Sequence, residues 1–507
     1  MNWTDGYVTD IGYTYGYYPE LNPARIRMAF ANAGLACPGI GTACELGFGQ
    51  GVSTNLHAAA STVRWHGNDF NPEQARFART LANASGAGAQ LEQDAFASFC
   101  TRDDLPQFDF IAMHGIWSWV SAANRSIIAD FVRRKLNPGG VLYISYNTQP
   151  GWAALMPLRD LLVQYTERFS TAQQGSAERI DAALAFAEQM FATNPVYAQA
   201  NPFMGQRLEA LKRQSRNYLA HEYFNRDWQP LSFADMRACW TDAGLSFACS
   251  ADFRDHLDAA NLTPAQSEFT RSIPDAGFRQ SVRDFMVNQQ FRRDYWVRGA
   301  QALTPPQCAD VLEQQAVVLL TAAEQVPLTV EHVASEITLN RLIYGPILEV
   351  LADFRPHTLA QIAAAVSARN LTFGQVRESL LMLIGTGHAA PVQDPAVTLA
   401  AGGTSAALNR YLLEHGGEVE HLASPVSGGG VAVDRIQQLF LQAELAQQHT
   451  PEEVAAWVWK QISAHGKKLV TGGVRLEQEA DNLAELTRQA TRFAATRLPL
   501  LKALQLL

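Results

Sequence analysis

No apolar stretch in this chain of 507 residues approaches the ~20 residues needed to cross a bilayer, so no membrane insertion is expected. The opening MNWTDGYVTDIGYTYGYYPE has neither a basic n-region nor an apolar h-region, and so lacks the pattern of a secretory signal. Cysteine is scarce. Cys37, Cys44, Cys100, Cys239, Cys249 and Cys308 fall without CxxC or paired Cys/His spacing. That argues against a disulfide framework and a structural zinc site, and a reducing, cytoplasmic setting is expected. No HExxH or similar spacing offers ligands to a catalytic metal, so none is expected. Positive charge is also short: 40 Lys+Arg against 49 Asp+Glu leave a formal net charge of -9. A chain of that sign has no general attraction to nucleic acid, which is not expected as a partner. No repeat of fixed period runs through it.

What is present is ordinary globular composition, 47% hydrophobic and 18% charged, enough to build cores for about three or four domains. Residues 1–150 alternate strand-like and helix-like segments. An apolar strand ends at Glu45, TVRWHGND is a second, NPEQARFARTLANASG reads as a helix stopped by Gly86, and FDFIAMHG and GGVLYISYN follow. This βαβ rhythm predicts an α/β unit with a parallel sheet covered on both faces. Residues 151–310 read mostly helical, with apolar side chains at three and four spacings. Residues 311–394 predict three helices followed by a strand pair, a winged-helix-like domain. Residues 395–507 form a mixed C-terminal domain that begins near the PVQDP linker, carries the glycine loop SPVSGGG and ends in a helix.

The densest chemical signal is Cys44-Glu45-Leu46-Gly47-Phe48-Gly49-Gln50-Gly51, after a strand and before a helix. Glycines let the backbone turn tightly and approach a ligand, and the following helix offers free N–H groups to an anion. A dinucleotide fingerprint needs its third glycine at position 52, which is Val52. Glu45, two residues before the first glycine, suits instead the amino group of S-adenosylmethionine. Asp69, ending the second strand, can accept both ribose hydroxyls, as acids do at the matching place in dinucleotide sites. In Asp94-Ala95-Phe96 the acid could receive the adenine amino group, with Phe96 or Phe70 as an apolar wall. Singly, each piece also reads as a turn or a helix cap; their order within about a hundred residues sets coincidence aside.

The set ELGFGQG, GNDFNP, QDAF and LNPGGVLYIS resembles class I S-adenosylmethionine-dependent methyltransferases. The segments Tyr13–Glu20, His114–Val120 and Ser145–Trp152, with Tyr218–Phe224 and Leu422–Val426, resemble bacterial proteins that join this core to a methyltransferase regulatory domain, a group that includes outer-membrane-protein lysine methyltransferases. The resemblance implies a Rossmann-like core at 1–150 and S-adenosylmethionine as cofactor. It further implies that the run with Tyr13, Tyr17 and Tyr18 is a lid touching cofactor and substrate; without it, the run reads equally as an aromatic strap on the core.

Ligands in open α/β sheets bind beyond the carboxyl ends of the strands. His114 and Trp117 follow the fourth strand and Tyr146 the fifth, so they are expected near the methyl acceptor, with Tyr17 from the N-terminal run. His114, or His221 beside Glu222, could serve as a base for an oxygen acceptor; each also reads as a structural hydrogen-bonding residue. The expected reaction is methyl transfer to a protein side chain, lysine favoured. The alternatives are a small-molecule or sugar acceptor, or a cofactor-sensing protein without catalysis. The helices of 151–300 could roof the site or form a homodimer interface. Between 335 and 392 Arg341, Arg355, Arg369 and Arg377 are cancelled by Glu336, Glu349, Asp353 and Glu378, so a protein-contact role is expected there rather than groove reading.

Overall fold

The computed structural model describes residues 15–171, 173–331 and 336–507. Five parallel strands come from the first third of the chain: β1 (Thr42–Leu46), β2 (Arg64–Asp69), β3 (Gln90–Gln93), β4 (Phe108–Met113) and β5 (Leu136–Asn147). All five residues of β1 are buried, as expected of a strand covered on both faces. Helix α1 (Pro23–Asn32) precedes the sheet. Helices α2 (Val52–Ala60) and α3 (Pro72–Ser85) follow β1 and β2. Local chemistry sets the ends of α3: Asn71 accepts from the N–H of Glu73 and Gln74, Pro72 opens the first turn, and Gly86 ends it in the left-handed conformation.

The sheet does not end at residue 150. Two further strands, β6 (Ser246–Ser250) and β7 (Phe291–Val297), complete an order of β3-β2-β1-β4-β5-β7-β6, with β7 antiparallel to both neighbours. They lie inside the stretch expected to be helical. Charge hides them: in FRRDYWV, Arg292 and Asp294 are buried, which inverts the usual alternation. Arg292 reaches Asp284 at 2.5 Å and Asp294 at 3.0 Å, and the Tyr146 hydroxyl donates to Asp294 at 2.7 Å. The Asn137–Gly140 run is a bulge within β5: the register shifts between Phe108 and Phe110, and Gly139 takes φ +78°.

The rear segments are fused onto this core. A three-stranded antiparallel sheet of Ala316–Leu319, flanked by His357–Thr358 and Ala389–Pro391, packs with helices Arg341–Leu351, Leu359–Val366 and Phe373–Gly385. The arrangement is winged-helix-like, but one strand precedes the helices instead of a pair following them. Its apolar side chains share a core with Ile26 and Phe30 of α1. Helix Pro395–His415 and the hairpin His421–Ser424/Gly429–Ala432 pack on α2. PVQDP is no loose linker, since the Gln393 amide donates to the carbonyls of Ala60 and Pro425. Among the described residues of the rear segments, the helices around 152–228 keep a core of their own. Among the described residues, no helix is long and apolar enough to cross a membrane.

Candidate active site

The strand order reverses between β1 and β4, and a cavity of about 340 Å³ opens at their carboxyl ends, where an open α/β sheet binds its ligand. Its floor is the glycine hairpin. Gly47, Gly49 and Gly51 take φ of +71°, +59° and +66°, and all three line the cavity. Gly51 caps α2 in the left-handed conformation, and a Cβ there would sit 2.5 Å from that of Ala78. No other residue meets both demands.

Asp69 holds the hairpin in place. Its carboxylate accepts from Gly49 N–H at 2.9 Å and from Asn71 N–H at 2.9 Å, while facing the cavity. Burial pushes its pKa up to about 6 against those two donors. Beside it, cavity-lining Asn68 donates to the Asp94 carbonyl at 2.8 Å, but its buried Oδ1 has no partner among the described residues. An acceptor kept out of water is costly unless a donor arrives. Phe70, Ala95 and Phe96 complete an apolar slot.

His114, after β4, closes the deep end. Its ring stacks on Tyr18 with centroids 3.4 Å apart, and its Nδ1 lies 2.8 Å from the Tyr143 hydroxyl. Burial holds His114 well below the usual histidine range and Tyr143 well above that of tyrosine, so both are neutral. Trp119 and Asn124 line the near side. The roof comes from far along the chain: His221 and Glu222, in helix Arg216–Tyr223, and Asp227 beyond it. Among the described residues, no group of three or more His, Cys, Asp or Glu could hold a metal ion.

The cavity thus brings together Tyr18, the three glycines, Asp69, Phe70, Ala95, Phe96, His114 and His221. Among the described residues, the other expected ones fall outside the cavity lining. Trp117 is a core residue against Trp240, 5.1 Å between centroids, because residues two apart in its 3-10 turn diverge; Trp119 is the one that reaches the cavity. Tyr146 belongs to the buried Arg292 network. Tyr17 turns away, packing on His57 and His421 at 5.2 and 4.9 Å. The Asp94 carboxylate lies 3.7 Å from Arg102, one-third exposed, while Ala95 and Phe96 after it line the site. Glu45 is sealed beneath α2, where it accepts from the Thr54 hydroxyl, and burial pushes it up to about 8. Tyr13 lies outside the described residues. Asn68, Asn124 and Asp227 are cavity residues that the sequence reading does not single out; for Asn68, its place beside Asp69 at the strand end is the available signal.

Comparison with known proteins agrees with this geometry. Residues 43–140 match the family model described as a methyltransferase domain, and residues 215–298 the one described as a predicted methyltransferase regulatory domain. The second match covers helix Arg216–Tyr223 together with β6 and β7. An uncharacterized Synechocystis protein, sll1526, is 38% identical over 99% of both chains, and RP028 of Rickettsia prowazekii is 29% identical over 38% of this chain and 76% of its own. The solved structure of PKMT2 from Rickettsia typhi in complex with AdoHcy superposes with a TM-score of 0.68, over 94% of this chain and 98% of that one. At 17% identity that likeness is one of fold. The Asn68 acceptor, the Asp69 carboxylate and the first-turn N–H groups of α2, which no side chain caps, fit an adenosyl amino acid. This chain belongs to the S-adenosylmethionine-dependent methyltransferases that join a class I catalytic core to a methyltransferase regulatory domain.

Proposed function

We propose that the protein methylates a side chain of another protein, with lysine as the favoured acceptor. The observation that carries this reading is the acidic and aromatic mouth of the cavity, where Glu222 and Asp227 stand with Trp119. Carboxylates and ring faces both attract an alkylammonium group. The fold likeness to PKMT2 agrees with it, and the large additional segments give a protein acceptor surfaces to meet.

When bound, S-adenosylmethionine supplies an electrophilic methyl group on a positively charged sulfur. Asp69 would accept from the ribose hydroxyls and Asn68 Oδ1 from an adenosyl donor, with Phe70 and Phe96 against the base. The hairpin and the first turn of α2 would hold the carboxylate. Neutral His114 adds no repelling charge at the deep end. The stacked Tyr18 and His114 rings keep water from that wall. A lysine must shed a proton first, which costs about 4.6 kcal/mol at pH 7 from its ordinary pKa near 10.4. A poorly hydrated aromatic mouth lowers that cost, and the released proton leaves through the open mouth to solvent.

Incubation with radiolabelled cofactor and separated cell extract tests the reading. Label is expected in protein bands, as methyl-lysine after hydrolysis, and is expected to vanish with Asp69→Ala and Gly49→Arg. Label confined to the small-molecule fraction would favour the alternative acceptor class. Tight cofactor binding with no label in either fraction would favour a non-catalytic sensor.

A further inference from the structure

A second and larger cavity, of about 1240 Å³, opens where the N-terminal segment, the sheet of 316–391 and the C-terminal segment meet. It shares no lining residue with the cavity at the glycine hairpin. Arginines crowd its walls: Arg25, Arg254 and Arg293 from the core, and Arg488, Arg492 and Arg497 from the C-terminal segment. Glu20, Asp252 and Asp434 are the acids that line it, in a chain whose net charge is -9.

Two of the core arginines are compensated. Arg254 forks onto Asp252 at 3.0 and 2.6 Å, and Arg293 reaches Asp252 at 3.1 Å and Glu20 at 3.4 Å. Arg25 is not. It is 7% exposed, lies 4.5 Å over the Phe253 ring, and donates only to the Ile384 carbonyl at 3.3 Å, leaving Nε without a partner. Among the described residues no carboxylate comes within 4.0 Å of it. Among the described residues, half-buried Arg497 hydrogen-bonds only neutral oxygens, the carbonyls of Leu320 and Ala432 and the Gln437 side chain, with Asp434 beyond bonding distance as the acid whose charge it feels.

A buried guanidinium held apart from carboxylates is costly, and its planar fork of donors matches phosphate and carboxylate groups. We propose that this junction cavity binds a small molecule carrying more than one phosphate or carboxylate group, with Arg25 as its buried anchor and Arg497 as a second contact. The volume exceeds the usual range for small-molecule sites, about 300–1,000 Å³, which accommodates a ligand the size of a nucleoside polyphosphate.

The test uses the full chain, with thermal melts and calorimetry in tripolyphosphate and, separately, citrate, at ionic strength held constant with potassium chloride. At least one anion is expected to raise Tm as its concentration rises; which of the two does so separates phosphate from carboxylate chemistry. Arg25→Met and Arg497→Met are each expected to weaken binding by roughly tenfold or more. Arg25→Met keeps an apolar stem over Phe253 and removes the uncompensated charge, so without anion its Tm should equal or exceed that of wild type. A merely structural Arg25 would instead lower Tm on replacement. The proposal falls if neither anion shifts Tm, if wild type and both variants shift equally, or if the protein responds only to an acidic polypeptide such as polyglutamate.

Discussion

Asp69 couples the shape of the cofactor hairpin to its own charge, because one carboxylate accepts from Gly49 and Asn71 while facing the cavity. With its pKa raised to about 6, it is ionised at pH 7.5 and protonated at pH 5. Affinity for S-adenosylmethionine should therefore fall as pH drops through 6, and Asp69→Asn, measured by calorimetry, should be weak and flat across that range. Glu45 acts in the opposite sense on stability. Folded, it keeps its proton up to about pH 8, whereas an unfolded carboxyl releases it near the ordinary 4.5. Between those values the unfolded chain gains by ionising, so the Glu45 contribution to stability is present at low pH and lost as pH rises. Glu45→Gln should flatten the fall in Tm between pH 5 and 8; an unchanged slope would place the effect elsewhere. Tyr146→Phe should cost about 1 kcal/mol of stability and leave kcat unchanged, since Asp294 keeps Arg292. The glycines and Asp69 were readable in the sequence because their backbone demands are local. Which way Trp117, Tyr17 and Asp94 turn was not, because distant partners decide it: Trp240, His421 and Arg102.

Helix α2 is the element on which two regions converge. All nine of its residues are buried, although most are small or polar. Its last carbonyls are capped from the C-terminal segment: Thr404 and Ser405 donate to Ala59 at 2.7 and 3.0 Å, and Gln393 to Ala60 at 2.7 Å. Gln393→Leu would orphan the Ala60 and Pro425 carbonyls and should cost about 1–3 kcal/mol, read as a lower denaturation midpoint, with cofactor affinity falling as α2 loosens. The sequence signals α2 by its glycine start but cannot say what covers it, since VSTNLHAAA has no strong apolar stripe to point at a partner. Strands β6 and β7 were missed for a related reason. Their buried side chains are partly charged, and only the assembled Arg292 network makes such burial tolerable.

At the scale of the whole molecule, the expected boundaries near 310 and 394 are not seams. One apolar core runs from α1 into the 316–391 sheet, and another from α2 into the C-terminal helices. Calorimetry should therefore find one main unfolding transition rather than three. The helices around 152–228 have a separate core; hydrogen exchange should find them opening first, and with them the roof that His221 and Glu222 place over the site. Tyr17 and Tyr18 are neighbours in an extended segment, where consecutive side chains diverge. Tyr18 belongs to the methyl-transfer pocket and Tyr17 to the arginine-walled one. A two-residue span shared in this way makes thermodynamic insulation of the two chambers difficult. Filling either should change the hold of the other on its guest, and by the same factor in both directions.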